Sequence, residues 1–245
     1  ACDPGPDGII GGRAGTDRPP AVTAGGGLYT ITGLTPGQWY LKILNPPVDK
    51  PLSSAPYFDQ DDQTDNDDNG NQINGVGGTI HSPIITLTAG GEPGSGVDGS
   101  DTDTDSTIDF GLVPAASIRG TVWLDNGGPL IGGLAGVELT LCDAVTGLPL
   151  DDPHQPYTVT TGGGGGYAFD GLFPGSYIVK ETQPAPYLSV SDGDSDADAP
   201  SSPPDGPDAP SDDQIPVNLA AGEEDAGNDF LETVPVSLGD VVFCD

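Results

Sequence analysis

Carboxylates are the side chains with chemistry to offer in this chain, and their spacing suits a hard cation. Asp59, Asp61, Asp62, Asp65, Asp67 and Asp68 crowd one short stretch. Asp101, Asp103 and Asp105 alternate just ahead of Asp109, and Asp192, Asp194, Asp196 and Asp198 alternate again. Ca2+ takes roughly six to eight oxygen ligands at about 2.3–2.6 Å, mostly carboxylates and carbonyls on adaptable loops. Alternate Asp residues on a turn bring several carboxylates into that range. An ion would then close each loop and tie its parent strands together, whereas without one the carboxylates repel. A solvated acidic spacer has the same composition and binds nothing.

Support for catalysis is thin. His81 and His154 are the only histidines and lie in dissimilar loops. No Ser-His-Asp order, zinc-type His/Cys cluster or phosphate loop is present. The glycine run Gly162–Gly166 joins two expected strands and no helix follows it, which fits a flexible hairpin rather than a phosphate cradle. The chain is therefore read as non-enzymatic. Cys142 is out of phase with Val137, Leu139 and Leu141, as for an unpaired residue or a contact at a packing surface. Cys2 and Cys244 stand at opposite ends, so head-to-tail joining brings them close. A junction disulfide in an oxidising compartment and two free thiols both remain open.

The elements that position these residues come from an internal repeat. Tyr29-Thr-Ile-Thr-Gly33-Leu34-Thr-Pro36-Gly37-Gln-Trp39-Tyr-Leu-Lys42 aligns without a gap to Tyr167-Ala-Phe-Asp-Gly171-Leu172-Phe-Pro174-Gly175-Ser-Tyr177-Ile-Val-Lys180. Each copy reads as strand, Pro-Gly turn, strand. Pro presets the turn dihedral and the Gly after it accepts a positive φ. Ile84–Gly90 matches Ile215–Gly222, and Ile108-Asp109-Phe110 matches Asn228-Asp229-Phe230. Apolar residues alternate with the period of a half-buried strand. Ser117-Ile-Arg-Gly-Thr-Val122-Trp123-Leu-Asp125 opens the second copy, and Ser237-Leu-Gly-Asp-Val241-Val242-Phe243-Cys-Asp245 has the same pattern after it. The expected domains are 1–114, lacking its own opening strand, 115–235, and 236–245 as the opening strand of a next unit. That strand is either donated to a neighbouring molecule or continued in tandem.

Composition narrows the classes. The chain has 245 residues, 39 Gly, 26 Pro, and 38 acidic against 6 basic residues, for a net charge of −32. Nucleic acid and anionic membranes need cationic surface that is missing here. No apolar run approaches the roughly 18–20 residues of a spanning helix, so no membrane insertion by this segment is expected. Frequent Gly and Pro, costing about 1 and 3 kcal/mol in a helix interior, leave an all-β fold with essentially no helix.

Taken together and in order, these motifs resemble the B domains of serine-aspartate repeat surface proteins, relatives of the B-type domains of collagen adhesins. The carrying residues are Ser-Leu-Gly-Asp-Val-Val-Phe at 237–243, Gly-Leu-Ala-Gly-Val-Glu-Leu-Thr-Leu at 133–141, Tyr167 to Tyr177, the acidic inserts and Ile108-Asp109-Phe110-Gly111-Leu112. The resemblance implies two tandem Ig-like, prealbumin-like (transthyretin-like) Greek-key β-sandwiches, used as Ca2+-stabilised modules of bacterial cell-surface proteins. It implies a Ca2+-binding opening loop, of which Asp3-Pro-Gly-Pro-Asp7-Gly8 survives, whereas Asp125-Asn126-Gly-Gly-Pro in the second domain is depleted. Lys180-Glu181-Thr-Gln-Pro-Ala-Pro resembles the segment carrying the catalytic Glu of isopeptide-forming relatives. That bond needs a Lys on the opening strand. This chain offers Arg119 or nothing, and a guanidinium stays protonated. Glu181 is then read as an edge-strand carboxylate beside Lys180.

The expected function is a structural subunit or repeat of an extracellular filament or cell-surface stalk. Copies join head to tail through Val236, Leu238, Val241, Val242 and Phe243, stiffened by Ca2+. One alternative is the spacer stalk of a longer surface adhesin. The other is a carbohydrate-binding module, disfavoured because Trp39 and Trp123 fall on strands and read as core.

Overall fold

In the computed structural model, residues 20–54, 68–72, 74–90, 104–125, 132–150, 158–194 and 212–239 are described. Every element among them is a strand or a turn, and no helix occurs there. The chain divides into two units, Ala1–Pro114 and Ala115–Asp245.

The second unit shows how the alternation is used. Its strands are β8 (Ala116–Asp125), β9 (Gly132–Gly133), β10 (Glu138–Asp143), β11 (Thr158–Thr160), β12 (Gly166–Leu172), β13 (Gly175–Glu181), β14 (Leu188–Asp194), β15 (Gln214–Leu219), β16 (Glu224–Asp225) and β17 (Asn228–Thr233). One sheet runs β11-β10-β13-β15, and the other β12-β8-β17-β14, with β9 and β16 also on β8. Alternate residues of the two sheets meet in one core that includes Ile118, Val122, Phe169 and Phe230 from one side and Leu139, Leu141, Val179 and Ile215 from the other. This is a β-sandwich, with two apolar faces sealed against each other. The opening strand β8 is central, antiparallel to β12 and parallel to β17. Ala116, Ile118 and Val122 point inward and are at most 2% exposed. Trp123 has the opposite phase and is half-buried, so it is not the core residue its strand placement implied.

The first unit has shorter strands: β1 (Gly37–Trp39), β2 (Lys42–Ile43), β3 (Leu52–Ser53), β4 (Asn71–Gln72), β5 (Ile80–His81), β6 (Ile85–Leu87) and β7 (Leu112–Val113). Its pairings repeat those of the second. Gly37 faces Leu87 and Trp39 faces Ile85, as Gly175 faces Leu219 and Tyr177 faces Val217. Ser53 faces Leu112 as Ser189 faces Glu232. Side chains repeat too. Trp39 Nε1 donates to Thr35 O at 2.9 Å, and Tyr177 OH donates to Phe173 O at 2.8 Å. Tyr29 OH donates to Ile108 O at 2.5 Å, and Tyr167 OH to Asn228 O at 2.7 Å.

One turn detail differs from expectation. Among the paired turn glycines, Gly33 and Gly171 share the left-handed conformation, at φ 73° and 77°, and Gly175 does not have it. The reason is a bulge between Asp170 and Leu172, where the ladder with β8 slips by one residue and only Gly takes the required φ without strain.

Candidate functional site

The opening strand of the second unit is held by polar clamps as well as by its core residues. Asp229 Oδ1 accepts the Thr121 backbone N–H at 2.8 Å, and Asp229 Oδ2 accepts Trp123 Nε1–H at 3.1 Å. Arg119, on the outer face, bonds Asp170 and Glu224 at 2.8 Å each. In the first unit no strand corresponding to β8 occurs among the described residues, and residues 28–35, which repeat β12, form no strand. There Tyr29, Ile31 and Leu34 are only half-buried, whereas their repeat partners Tyr167, Phe169 and Leu172 are buried.

The tail shows the complementary condition. Val236 and Leu238 occupy the phase of Ala116 and Ile118, yet they are 97% and 102% exposed. Residues 234–239 carry no strand in this single chain. Val241, Val242, Phe243 and Cys244 lie outside the described residues, as does Cys2. Cys142 is a free thiol, buried, and burial raises its pKa.

The acidic runs are only partly described. Asp3, Asp7, Asp59, Asp61, Asp62, Asp65, Asp67, Asp101, Asp103, Asp196 and Asp198 lie outside the described residues. Asp68 Oδ1 accepts the Gly70 N–H at 2.8 Å, and its Oδ2 accepts from the Ser54 hydroxyl. Asp105 Oδ1 accepts from Thr107, from its N–H at 3.0 Å and its hydroxyl at 2.7 Å. Asp109 is fixed against Asn69, its N–H donating to Asn69 Oδ1 at 2.7 Å. Burial, then the charges of Asp109 and Asp105, raise the Tyr29 phenol well above its usual value. Asp192 and Asp194 belong to strand β14 rather than to a loop. Asp192 is buried and accepts the Gln214 N–H at 3.1 Å. Pairing with β17 continues through Asp194, so the run begins on the outer strand of its sheet.

The group of acidic side chains converging on a common point among the described residues is elsewhere. Glu181, Asp213 and Glu232 each offer an oxygen within 4.8 Å of the others. Glu181 is not an edge carboxylate. It ends β13, the strand between β10 and β15, and is 7% exposed, while Lys180 takes the other face and donates to Gly147 O at 2.9 Å. Glu232 on β17 is fully buried and accepts from Gln183 Nε2. Asp213 adopts a left-handed φ of 57°, and its carbonyl accepts the Glu181 N–H at 2.9 Å. Burial, then Glu232, Asp213 and Asp192, push the Glu181 carboxyl up to about 8. Burial also raises Glu232. The repeat carried a signal for this group: Glu181 aligns with Ile43 and Glu232 with Leu112, so charge replaces apolar residues at matching positions.

No family model matches the chain. Colossin-A of Dictyostelium discoideum is 38% identical over 93 residues, covering 36% of this chain and 1% of that protein. Among solved structures, similarity extends to the minor pilin of the gram-positive pathogen Streptococcus agalactiae, at 15% identity over 57% of this chain and 55% of that one, TM-score 0.36. The full-length major pilin SpaD of Corynebacterium diphtheriae matches at 14% identity over 65% and 42%, TM-score 0.34. The major pilin subunit BcpA of Bacillus cereus matches at 14% identity over 64% and 41%, TM-score 0.31. The chain thus spans about 1% of the curated relative and about half or less of each of these pilins.

Proposed function

We propose that this chain is a non-enzymatic structural module of an extracellular, cell-surface array, in which a strand of the type 236–245 completes the first sandwich of the next copy. The observation that carries this reading is the mismatch in burial at equivalent positions. Ala116 and Ile118 are sealed inside a sheet, whereas Val236 and Leu238, in the same phase of the same motif, stand in solvent. Adding such a strand beside Tyr29–Leu34 would cover the half-buried side chains there and satisfy a row of backbone groups. Asp109 stands at the repeat position from which Asp229 clamps β8, and on this reading it receives the backbone of the incoming strand. Such a contact is heterologous and propagates linearly, so copies of the chain are each other's partners. The high negative charge keeps neighbouring arrays apart, and Ca2+ on the Asp runs stiffens the loops.

The same strand can instead enter the next sandwich of one longer polypeptide, a spacer stalk. The match to a relative of which the aligned segment is only 1% favours that arrangement as the alternative. Light scattering and negative-stain imaging of the isolated chain across concentration decide between them. Concentration-dependent fibres that vanish in Leu238→Asp support donation between molecules. A strictly monomeric wild-type chain refutes it and leaves the tandem form.

A further inference from the structure

The interior of the second unit holds a group of acids that no Lys or Arg of that unit neutralises. Glu181 and Glu232 are 7% and 0% exposed. Both carboxylate oxygens of Glu181 and Oε1 of Glu232 lack a hydrogen-bond partner, although they are buried. The remaining oxygen, Glu232 Oε2, accepts from the neutral amide of Gln183. Asp213 adds a third carboxylate to the group. The second unit contains two Lys or Arg residues, and both are engaged elsewhere: Arg119 with Asp170 and Glu224, Lys180 with Gly147 O. Uncompensated burial of a carboxylate costs several kcal/mol even after relaxation. A group left in this state needs a proton or a cation from solution.

We propose that Glu181, Asp213 and Glu232 form a buried binding site for a hard divalent cation, Ca2+, that links the two sheets of the second unit. Three features select this occupant. The donor set is all oxygen, which suits Ca2+ and gives no nitrogen or sulfur to a softer metal. The oxygens converge closely enough to enter one coordination shell with metal–oxygen distances of about 2.3–2.6 Å. The ligands come from both sheets, since Glu181 ends β13 and Glu232 lies on β17, while Asp213 directly precedes β15. Asp213 is held against Glu181 by its own carbonyl, which orders the group before any ion arrives. Asp192, buried nearby and bound to the Gln214 N–H, adds negative potential from the next strand. This site is separate from the Asp runs of the loops and does not depend on assembly.

The test uses the full chain, stripped with EDTA and titrated with CaCl2 by calorimetry, beside Glu232→Leu and Glu181→Gln. Each variant is expected to bind one Ca2+ fewer than wild type while keeping its far-ultraviolet circular dichroism. Crystals grown in CaCl2 are expected to show an anomalous calcium peak bonded to all three carboxylates. Should Glu232→Leu fail to fold, Glu181→Gln, which keeps the side-chain shape, decides the count. An unchanged stoichiometry in a folded variant, or a map with no peak between these residues, overturns the site.

Discussion

The two units are built on one repeat and differ at a few matching positions. Their shared bonds coincide: Tyr29 and Tyr167 reach equivalent carbonyls, and Trp39 and Tyr177 both reach back to the carbonyl of the residue four before them. Their differences are equally specific. The second unit has its opening strand in place but carries Glu181 and Glu232 where the first carries Ile43 and Leu112. The first is apolar at those positions and has no such strand among its described residues. One pairing pattern thus carries different side chains at matching positions. On the readings proposed above, one unit is finished by a strand and the other by an ion.

The sharpest way to break this comparison is to place the same charge at equivalent positions of β8 and the tail. Ile118 is completely buried and Leu238 completely exposed. Ile118→Asp is expected to remove more than about 4 kcal/mol and unfold the second unit, read by the fluorescence of Trp123. Leu238→Asp is expected to leave the monomer within about 0.5 kcal/mol of wild type, because an exposed side chain has little to lose. Equal losses would mean that the tail is already packed within its own chain.

The next contrast exchanges the residues at the cation site. In EDTA, Glu232→Leu is expected to stabilise the second unit by about 1–4 kcal/mol, since an apolar residue in place of a buried acid removes desolvation cost. Leu112→Glu is expected to destabilise the first. The pH dependence follows from Glu181, whose carboxyl is raised from the ordinary 4.5 to about 8. Between those values the native state keeps a proton that the unfolded chain has lost, so stability falls as pH rises. The penalty is absent below about pH 4.5 and complete above about 8. Urea titrations of the EDTA-treated chain at several pH values check the slope. Wild type should weaken across this window, and Glu181→Gln should lose most of that dependence.

Much of the fold was legible because alternation and repetition are written directly in side-chain types. The equivalence of the pairs Trp39–Ile85 and Tyr177–Val217 agrees with the alignment of the copies. What was not legible depends on phase and on the third dimension. Trp123 sits on a core strand but on its outer face, because the inward positions are Ile118 and Val122. Glu181 looked like an edge residue because Lys180 precedes it, yet β15 covers that side of its strand. Asp213 and Glu232 are far from Glu181 in sequence, and only the stacking of two sheets brings the three together. Acid-rich runs drew attention by their density, whereas these scattered acids carried their signal in a comparison of matching positions.

The smallest expected effect tests whether the repeat is energetic as well as geometric. Tyr29→Phe removes the hydroxyl that reaches Ile108 O, and Tyr167→Phe removes the one that reaches Asn228 O. Each hydroxyl leaves a carbonyl acceptor behind, and a lost neutral hydrogen bond costs about 0.5–1.5 kcal/mol. The chain has two tryptophans, and one falls in each unit, so Trp39 and Trp123 report the units separately. Tyr167 is 7% exposed, whereas Tyr29 is half-buried and has no counterpart of β8 beside it among the described residues. Water can therefore replace part of the lost bond at Ile108 O but not at Asn228 O. Tyr167→Phe should cost the more of the two by several tenths of a kcal/mol, close to the resolution of a urea titration. On the proposed reading, a strand added beside Tyr29 should bring the two losses together. A Tyr29→Phe cost that is unchanged between dispersed and assembled chain would mean that the strand enters somewhere else.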